Sequence, residues 1–210
     1  MGIVYLIKQK CKLIFTRFLN SNNMTLEDYK KAYKLEGEQL FSSSVTRKFE
    51  KNSPLCSIGE IEKNFYFINS GIVEATMFNN KEEERIIEFF FPGQFVASFT
   101  SLLSQQPSDV FQSCLTECVL EVIDFSKFKE ACKTSQVSSS YYIKLLEDAY
   151  IQRSNREKDF LTLSAEERYS KLIESRPEVI QQIPVFRIAK YLGIHPESLS
   201  RIRKTKFSNE

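Results

Sequence analysis

The 210-residue sequence predicts an α+β protein, in which an N-terminal double-stranded β-helix (jelly roll) with flanking helices precedes a long helix and a C-terminal helix-turn-helix. Short runs rich in β-forming residues, broken by turn signals, fill the region from Val45 to Asp124. From Ser126 the pattern turns helical, and no glycine follows until Gly193. We therefore divide the chain into an N-terminal extension and β-roll at 1–135, a connecting helix at 136–163 and a helix-turn-helix domain at 164–210.

Composition limits the classes of protein to be considered. A hydrophobic fraction of 42% and 18 Phe predict a packed globular fold. A net charge of +2 means that any nucleic-acid surface must come from local clustering of charge. The odd number of cysteines, without a CxxC pair or a secretory signal, indicates a reducing cytoplasm. The apolar stretch 2–19 is interrupted by four basic residues, so we expect it not to cross a membrane, and its role stays open.

The predicted β-roll contains four well-marked strands. Each is a run of Phe, Ile, Val or Tyr that ends at Asn, Gly, Pro or Asp. These runs are Phe65 to Ile68, Ile72 to Phe78, Arg85 to Phe91 and Val119 to Asp124. A helix from about Thr25 to Gln39, capped by Thr25 with Asp28 three residues later, is predicted before them.

The segment from Tyr142 to Leu163 reads as one long helix with a strongly charged middle. Its position between a β domain and a C-terminal motif suits a connector that also pairs with its copy in a homodimer. The alternative is a helix that packs on its own sheet. Its apolar positions are Leu145, Leu146, Ala149, Tyr150, Phe160 and Leu161.

The segment from Val185 to Lys204 has the pattern of a helix-turn-helix. Gly193 stands where the tight turn needs a positive φ, and Pro196 suits the first position of the second helix. Ala189 supplies the small residue where the two helices cross closely. The positions predicted to share one small core are Ile188, Leu192, Ile194, Leu199 and Ile202.

Polar residues on the remaining face of the second helix predict contacts with DNA. Arg201 can hold guanine bidentately, Glu197 can accept from cytosine, and Ser198 lies beside them. The alternative is an ordinary helical hairpin with a charged face. The residues predicted to contact phosphates are Arg187, Lys190, Arg203, Lys204 and Lys206.

Four stretches of this sequence resemble the pattern of the Crp–Fnr superfamily: Phe65 to Gly71, Phe89 to Phe95, Leu163 to Tyr169 and Gly193 to Arg201. The resemblance implies a cyclic-nucleotide-binding-type β-roll, a dimerisation helix and a helix-turn-helix that reads a pseudo-palindromic site in double-stranded DNA. RNA polymerase is a further partner that we expect on this basis. The set Glu-x-x-Ser-Arg is similar to that of the Fnr-like branch, which implies Glu197, Ser200 and Arg201 as base readers and a TGA-containing half-site.

The chain departs from the cyclic-AMP-responsive members at the phosphate-binding stretch. Ser98 stands in place of their ribose-binding glutamate, and Ser108 stands in place of their phosphate-binding arginine. A buried phosphate without a cation is costly, so cyclic AMP is not the expected ligand. The predicted effector pocket holds Gln94, Ser98, Thr100 and Ser108, for an unidentified small molecule or none.

No cofactor, metal or catalytic residue is predicted. The cysteines are scattered, so an iron–sulfur cluster is not expected, and Cys114 and Cys118 are predicted to be buried on one face of one strand. The single histidine, His195, lies outside the β region, which argues against a cupin-type enzyme. The stretch from Glu174 to Ile183 is too short for a β-hairpin wing. The alternative function is a ligand-binding or scaffold protein whose helix-turn-helix has lost its affinity for DNA.

Overall fold

A computed structural model describes residues 24–207. The prediction for the N-terminal extension, together with Cys11, lies outside the described residues. The contacts divide the chain into two compact units. The first holds the described residues up to Glu74 together with Phe90–Ser140, and the second holds Ala75–Phe89 together with the described residues from Tyr141 onward. The predicted domain boundaries at 135 and 163 stay predictions.

The β region forms two four-stranded sheets, with the orders β1-β8-β3-β6 and β2-β7-β4-β5. The pairings of β8 with β1 and β3, of β6 with β3 and of β7 with β2 are antiparallel. This is the predicted jelly-roll-like sandwich, and each of the four predicted strands is confirmed to within a residue or two. The strands are β1 (Val45–Phe49), β2 (Pro54–Cys56), β3 (Asn64–Ser70), β4 (Val73–Phe78), β5 (Glu84–Phe90), β6 (Phe95–Val96), β7 (Phe111–Cys114) and β8 (Cys118–Asp124).

Helices precede, interrupt and follow the strands along the chain. A 3-10 turn (Gln39–Phe41) precedes β1. The helices are α1 (Leu26–Ala32), α2 (Phe99–Ser104), α3 (Phe125–Ala131), α4 (Gln136–Thr162), α5 (Ala165–Ser175), α6 (Pro177–Gln182), α7 (Val185–Leu192) and α8 (Pro196–Phe207).

One helix prediction needs correction. Thr25 caps α1 through a reciprocal capping box with Asp28, as expected, but the helix ends at Ala32 and not near Gln39. Lys34 takes a left-handed conformation with φ of 58°, which turns the chain out of the helix. The long helix α4 begins at Gln136, where the predicted connecting helix starts, and this is ahead of the apolar pattern that starts at Tyr142.

The core of the first unit is built from aliphatic, aromatic and cysteine side chains. Cys114 ends β7 and Cys118 begins β8, so the prediction that one strand carries both was wrong, although both are buried as expected. The chain turns between them and closes the two strands onto the same core. That core comprises Tyr66, Ile68, Val73, Val96, Cys114, Cys118 and Leu120.

The helical part of the second unit has its own small core. Ser164 caps α5 through a capping box with Glu167. Where a hairpin wing would stand, the chain instead forms α6, which begins at Pro177, so the prediction that no wing fits is confirmed. The buried side chains are Tyr169, Leu172, Val179, Ile183, Ile188, Ala189, Leu192 and Leu199.

Candidate DNA-reading helix and effector region

Helices α7 and α8 are joined by the tight turn that the sequence predicts. Gly193 ends α7 with φ of 71°, the left-handed conformation that glycine adopts at little cost. The N–H of Ile194 donates to the carbonyl of Ala189 at 3.0 Å, which is the long bond of a Schellman turn. The first helical residue of α8 is Pro196, as predicted, and the carbonyl of His195 accepts from the N–H of Ser198 at 3.0 Å.

The predicted inward set is largely confirmed. Ile188, Leu192 and Leu199 are buried, and Ala189 is fully buried at the crossing. Ile194 and Ile202 are half-buried at the edge of this core. The tight apolar contact therefore fixes which face of α8 turns outward.

The outward face of α8 carries the predicted base readers. Glu197, Ser200 and Arg201 are exposed, while Ser198 is half-buried. The guanidinium of Arg201 donates to Ser198 Oγ at 3.4 Å. Within residues 24–207 no Glu197–Arg201 ion pair forms, so the carboxylate and the guanidinium stay separate on this face.

The residues predicted to contact phosphates differ in exposure and in the partners that they already have. Lys204 is exposed, Arg203 is half-buried, and the Arg187 guanidinium lies 5.5 Å from the centre of the Phe186 ring. Lys190 on α7 forms an ion pair with Glu84, at the start of β5. The side chain of Lys206 lies outside the described residues.

Three arginines that sequence reasoning missed brace the second unit. Arg156 donates to the carbonyls of Tyr191 at 2.9 Å and Ile86 at 3.3 Å, and its guanidinium lies 3.9 Å from the Tyr191 ring centre. Arg168 donates to the carbonyl of Leu192 at 3.0 Å, next to the turn. In the sequence these arginines look like ordinary charged positions of helices, so no local signal could have identified them.

The third arginine, Arg176, precedes α6 and is largely buried. It forms ion pairs with Glu88 and Glu178, and its Nη2 donates to the carbonyl of Phe89 at 2.7 Å. Burial is the largest single influence and lowers the pKa of Arg176, but Glu88, Tyr191 and Glu178 together outweigh it and raise the pKa. The ion pair therefore joins β5 to the helices that carry the helix-turn-helix.

In the first unit, two of the four residues predicted for the effector pocket meet. Ser108 Oγ donates to Ser98 Oγ at 2.8 Å, and both side chains are buried. Gln94 instead accepts from the N–H of Phe91 at 3.0 Å and so braces the turn at Pro92 and Gly93. Thr100 is exposed on α2. The four residues therefore do not form one cluster.

Glu62 is a buried carboxyl group that sequence reasoning missed. Its Oε1 accepts from the N–H groups of Lys63 and Asn64, each at 3.1 Å, and its Oε2 has no hydrogen-bond partner among the described residues. Burial raises the pKa of Glu62. Burial, and then the Glu62 charge, raise the pKa of the Cys56 thiol to about 11. Glu62, Cys56 and the serine pair carry no positive charge for a phosphate.

Residues 46–135 match the family model described as "Cyclic nucleotide-binding domain". This segment is similar to that family of domains over 90 of the 210 residues. Ser98, Ser108 and Glu62 all lie inside this domain. The match covers β1 to β8 and the short helix α3, while the helices from α4 onward lie beyond it.

Several solved structures are similar to this chain both in the matched segment and in the helices that follow it. The c-di-GMP-responsive regulator CLP from Xanthomonas campestris is 16% identical, with a TM-score of 0.62 over 81% of this chain and 90% of its own. FixK2 from Bradyrhizobium japonicum is 14% identical, with a TM-score of 0.66 over 79% and 85%. The Thermus thermophilus catabolite activator protein is 18% identical, with a TM-score of 0.50 over 81% of each chain. At these identities the likeness establishes the fold, and the resemblance to the Crp–Fnr superfamily is confirmed at that level.

Two further findings are negative. No curated protein matches the chain. Within residues 24–207 no helix combines the length and the apolar character needed to cross a bilayer.

Proposed function

We propose that the protein is a sequence-specific DNA-binding transcription regulator of the Crp–Fnr type, which binds a pseudo-palindromic site as a homodimer. One observation carries the proposal: Glu197, Ser200 and Arg201 are exposed together on α8, the second helix of a well-formed helix-turn-helix. Their three- and four-residue spacing places them on one face of the helix. A helix of this kind enters the major groove with its N-terminal residues against the base edges.

The base readers have distinct roles in this proposal. Arg201 donates bidentately to a guanine, and Glu197 accepts from a cytosine amino group. Ser198 and Ser200 supply shorter hydroxyl contacts on either side. Because Arg201 contacts only a serine hydroxyl in the described chain, its guanidinium can turn toward a base without breaking an ion pair.

Backbone phosphates are the proposed partners of Arg187, Lys190, Arg203, Lys204 and Lys206. They flank the reading face on α7 and on the later turns of α8. Since α6 occupies the place of a β-hairpin wing, the domain makes fewer backbone contacts than a winged one would. We therefore expect these few cations to contribute most of the salt-dependent affinity.

The long helix α4 is the proposed dimer contact, within the proposed connecting segment 136–163. Ile143, Tyr150 and Leu161 are 56%, 74% and 79% exposed, which is unusual for side chains of this size. Ile143 and Tyr150 are two turns apart and lie on one face of α4. Pairing of two copies along this face would cover them and set the spacing of the two reading helices.

The proposed effector is an unidentified small molecule, or none, and is not cyclic AMP. The support is the serine pair Ser98–Ser108 beside the buried carboxyl of Glu62, where a phosphate would need a cation. Gln94 and Thr100 stay proposed members of the pocket. The protein is proposed to act in the cytoplasm, with RNA polymerase as a partner and without enzymatic activity of its own.

Selection of bound sequences from a random duplex library, with the purified full chain at a stated salt concentration, tests the proposal. The expected result is a palindromic motif with half-sites about one DNA turn apart. The Arg201→Ala variant should lose the motif, since each good bidentate contact discriminates by about 1–3 kcal/mol. A substitution at an exposed position away from α8, Glu50→Gln, serves as the matched control.

The alternative, a ligand-binding or scaffold protein with a vestigial helix-turn-helix, makes the opposite prediction. A folded dimer that recovers no motif, and whose behaviour is unchanged by Arg201→Ala, would support that alternative and overturn the regulator proposal.

A further inference from the structure

The hairpin between β4 and β5 carries three consecutive acidic residues, Glu82, Glu83 and Glu84. It belongs to the same compact unit as the helix-turn-helix. Glu83 is engaged within the hairpin: its Oε2 accepts from Asn79 at 2.9 Å and pairs with Arg85 at 2.6 Å. Glu84 is the first residue of β5, and its side chain points away from that of the adjacent Glu83. It pairs with Lys190 of α7.

Buried contacts keep Glu84 beside α7. Arg156 donates to the Ile86 carbonyl, and the rings of Phe89 and Tyr191 lie 5.5 Å apart. Arg176 holds β5 through Glu88 and the Phe89 carbonyl. The Glu84–Lys190 pair is therefore formed between two elements that other contacts already hold together, so only the two side chains must be ordered to form it.

Lys190 is one of the few cations proposed to contact DNA phosphates. An ammonium that is paired with a carboxylate must leave it, or bring a phosphate close to it, to make that contact. Either event costs electrostatic free energy, because two anions then compete for one cation or repel each other. The side chains are 37% and 31% exposed, so the pair is only partly screened by solvent.

We propose that Glu84 is an intramolecular competitor for the phosphate contact of Lys190, so that the β4–β5 hairpin lowers the affinity of the helix-turn-helix for DNA. The inference rests on the proposed DNA-binding function. The Glu84 carboxylate of the hairpin thus limits how freely Lys190 of α7 can contact a phosphate. Any event that draws the hairpin away from α7 would release Lys190 and raise the affinity for DNA.

The test measures the dissociation constant of a fluorescent duplex that contains the motif selected by the wild-type chain, at one fixed salt concentration. Glu84→Gln should bind about two- to fivefold more tightly, the range expected for loss of one partly exposed ion pair. Glu82→Gln is the matched control, because it removes the same charge from an exposed position of the same hairpin and should change the affinity by much less.

A double-mutant cycle separates competition for Lys190 from general repulsion. In a Lys190→Met background, Glu84→Gln should give no further gain. An equal gain in that background, or an equal gain from Glu82→Gln, would show long-range repulsion and overturn the inference. If the wild type binds the duplex and Glu84→Gln binds it no more tightly, the inference is overturned and the proposed function is not. If neither the wild type nor any variant binds the duplex, the proposed function is overturned as well.

Discussion

At the scale of single residues, the buried polar groups around Ser98 and Ser108 carry no positive charge. Ser108 donates a hydrogen bond to Ser98 in the interior of the matched segment. A phosphate bound there would need a cation. Glu62 adds a carboxyl that is only 4% exposed. A carboxyl so buried is held more easily as a neutral acid than as an anion, and that preference makes the stability of the domain depend on pH.

We expect Glu62→Gln to raise the free energy of unfolding at neutral pH. Because the folded-state pKa of Glu62 lies above its unfolded value, the folded chain holds this proton more tightly. The stability that the neutral acid contributes is fully present below the unfolded pKa and is lost as pH rises through the folded pKa. Glutamine keeps the acceptor for Lys63 and Asn64 without a charge, so the advantage of the variant should grow from acid to neutral pH.

Urea unfolding of both proteins between about pH 4 and pH 8, which brackets the ordinary Glu pKa, measures this difference. The exposed substitution Glu50→Gln should show no such growth with pH. A Glu62→Gln variant that is less stable at pH 8 than at pH 4, relative to wild type, would show that Glu62 is held as an anion.

At the scale of elements, the turn between α7 and α8 depends on one glycine. Gly193 has φ of 71°, and a Cβ placed there would lie 3.1 Å from Cε1 of Phe160. The backbone conformation and the neighbouring ring thus both disfavour a side chain. The angle between the two helices, and with it the exposure of the base readers, follows from this turn.

Gly193→Ala should therefore destabilise the protein by about 1–2 kcal/mol, the usual cost of a left-handed conformation for a residue with a Cβ. Crowding against Phe160 adds to that cost. Denaturant unfolding monitored by circular dichroism gives the difference. Gly37→Ala is the matched control, since a Cβ at Gly37 meets no heavy atom within 4 Å. Equal stability of the two variants would mean that the turn relaxes without cost.

At the scale of the whole molecule, the exposed apolar side chains of α4 are explained if two copies pair. Tyr150→Asp places a charge in the proposed contact, so we expect a monomer by sedimentation at concentrations where wild type is a dimer. Loss of the second half-site should weaken binding to the selected palindrome by about a hundredfold or more.

Asn155→Asp is the control for the dimer prediction. It adds the same charge to an exposed position of α4 on a different face from Tyr150. A Tyr150→Asp protein that remains a dimer, with unchanged affinity for DNA, would place the contact between copies elsewhere on the molecule.

Local signals in the chain were enough to predict the main elements. The strands around Phe65 to Ile68 and Val119 to Asp124, the turn at Gly193 and the helix start at Pro196 all lie where the residue pattern placed them. Their causes act over a few residues: the alternation of side chains in a strand, the left-handed turn that favours glycine, and the missing N–H of proline.

The contacts that give the candidate site its electrostatic character depend on tertiary structure. Lys190 meets Glu84, and Arg176 meets Glu88, across more than eighty residues of sequence. The neighbours of Glu62 likewise include Ser101, which is 39 residues away. No periodicity encodes such a pair, because a charged side chain on an exposed face and one that pairs across the fold have the same local sequence pattern. Only the packing of β5 against α7 determines which carboxylate lies beside which cation, since ion pairing depends on distance and burial.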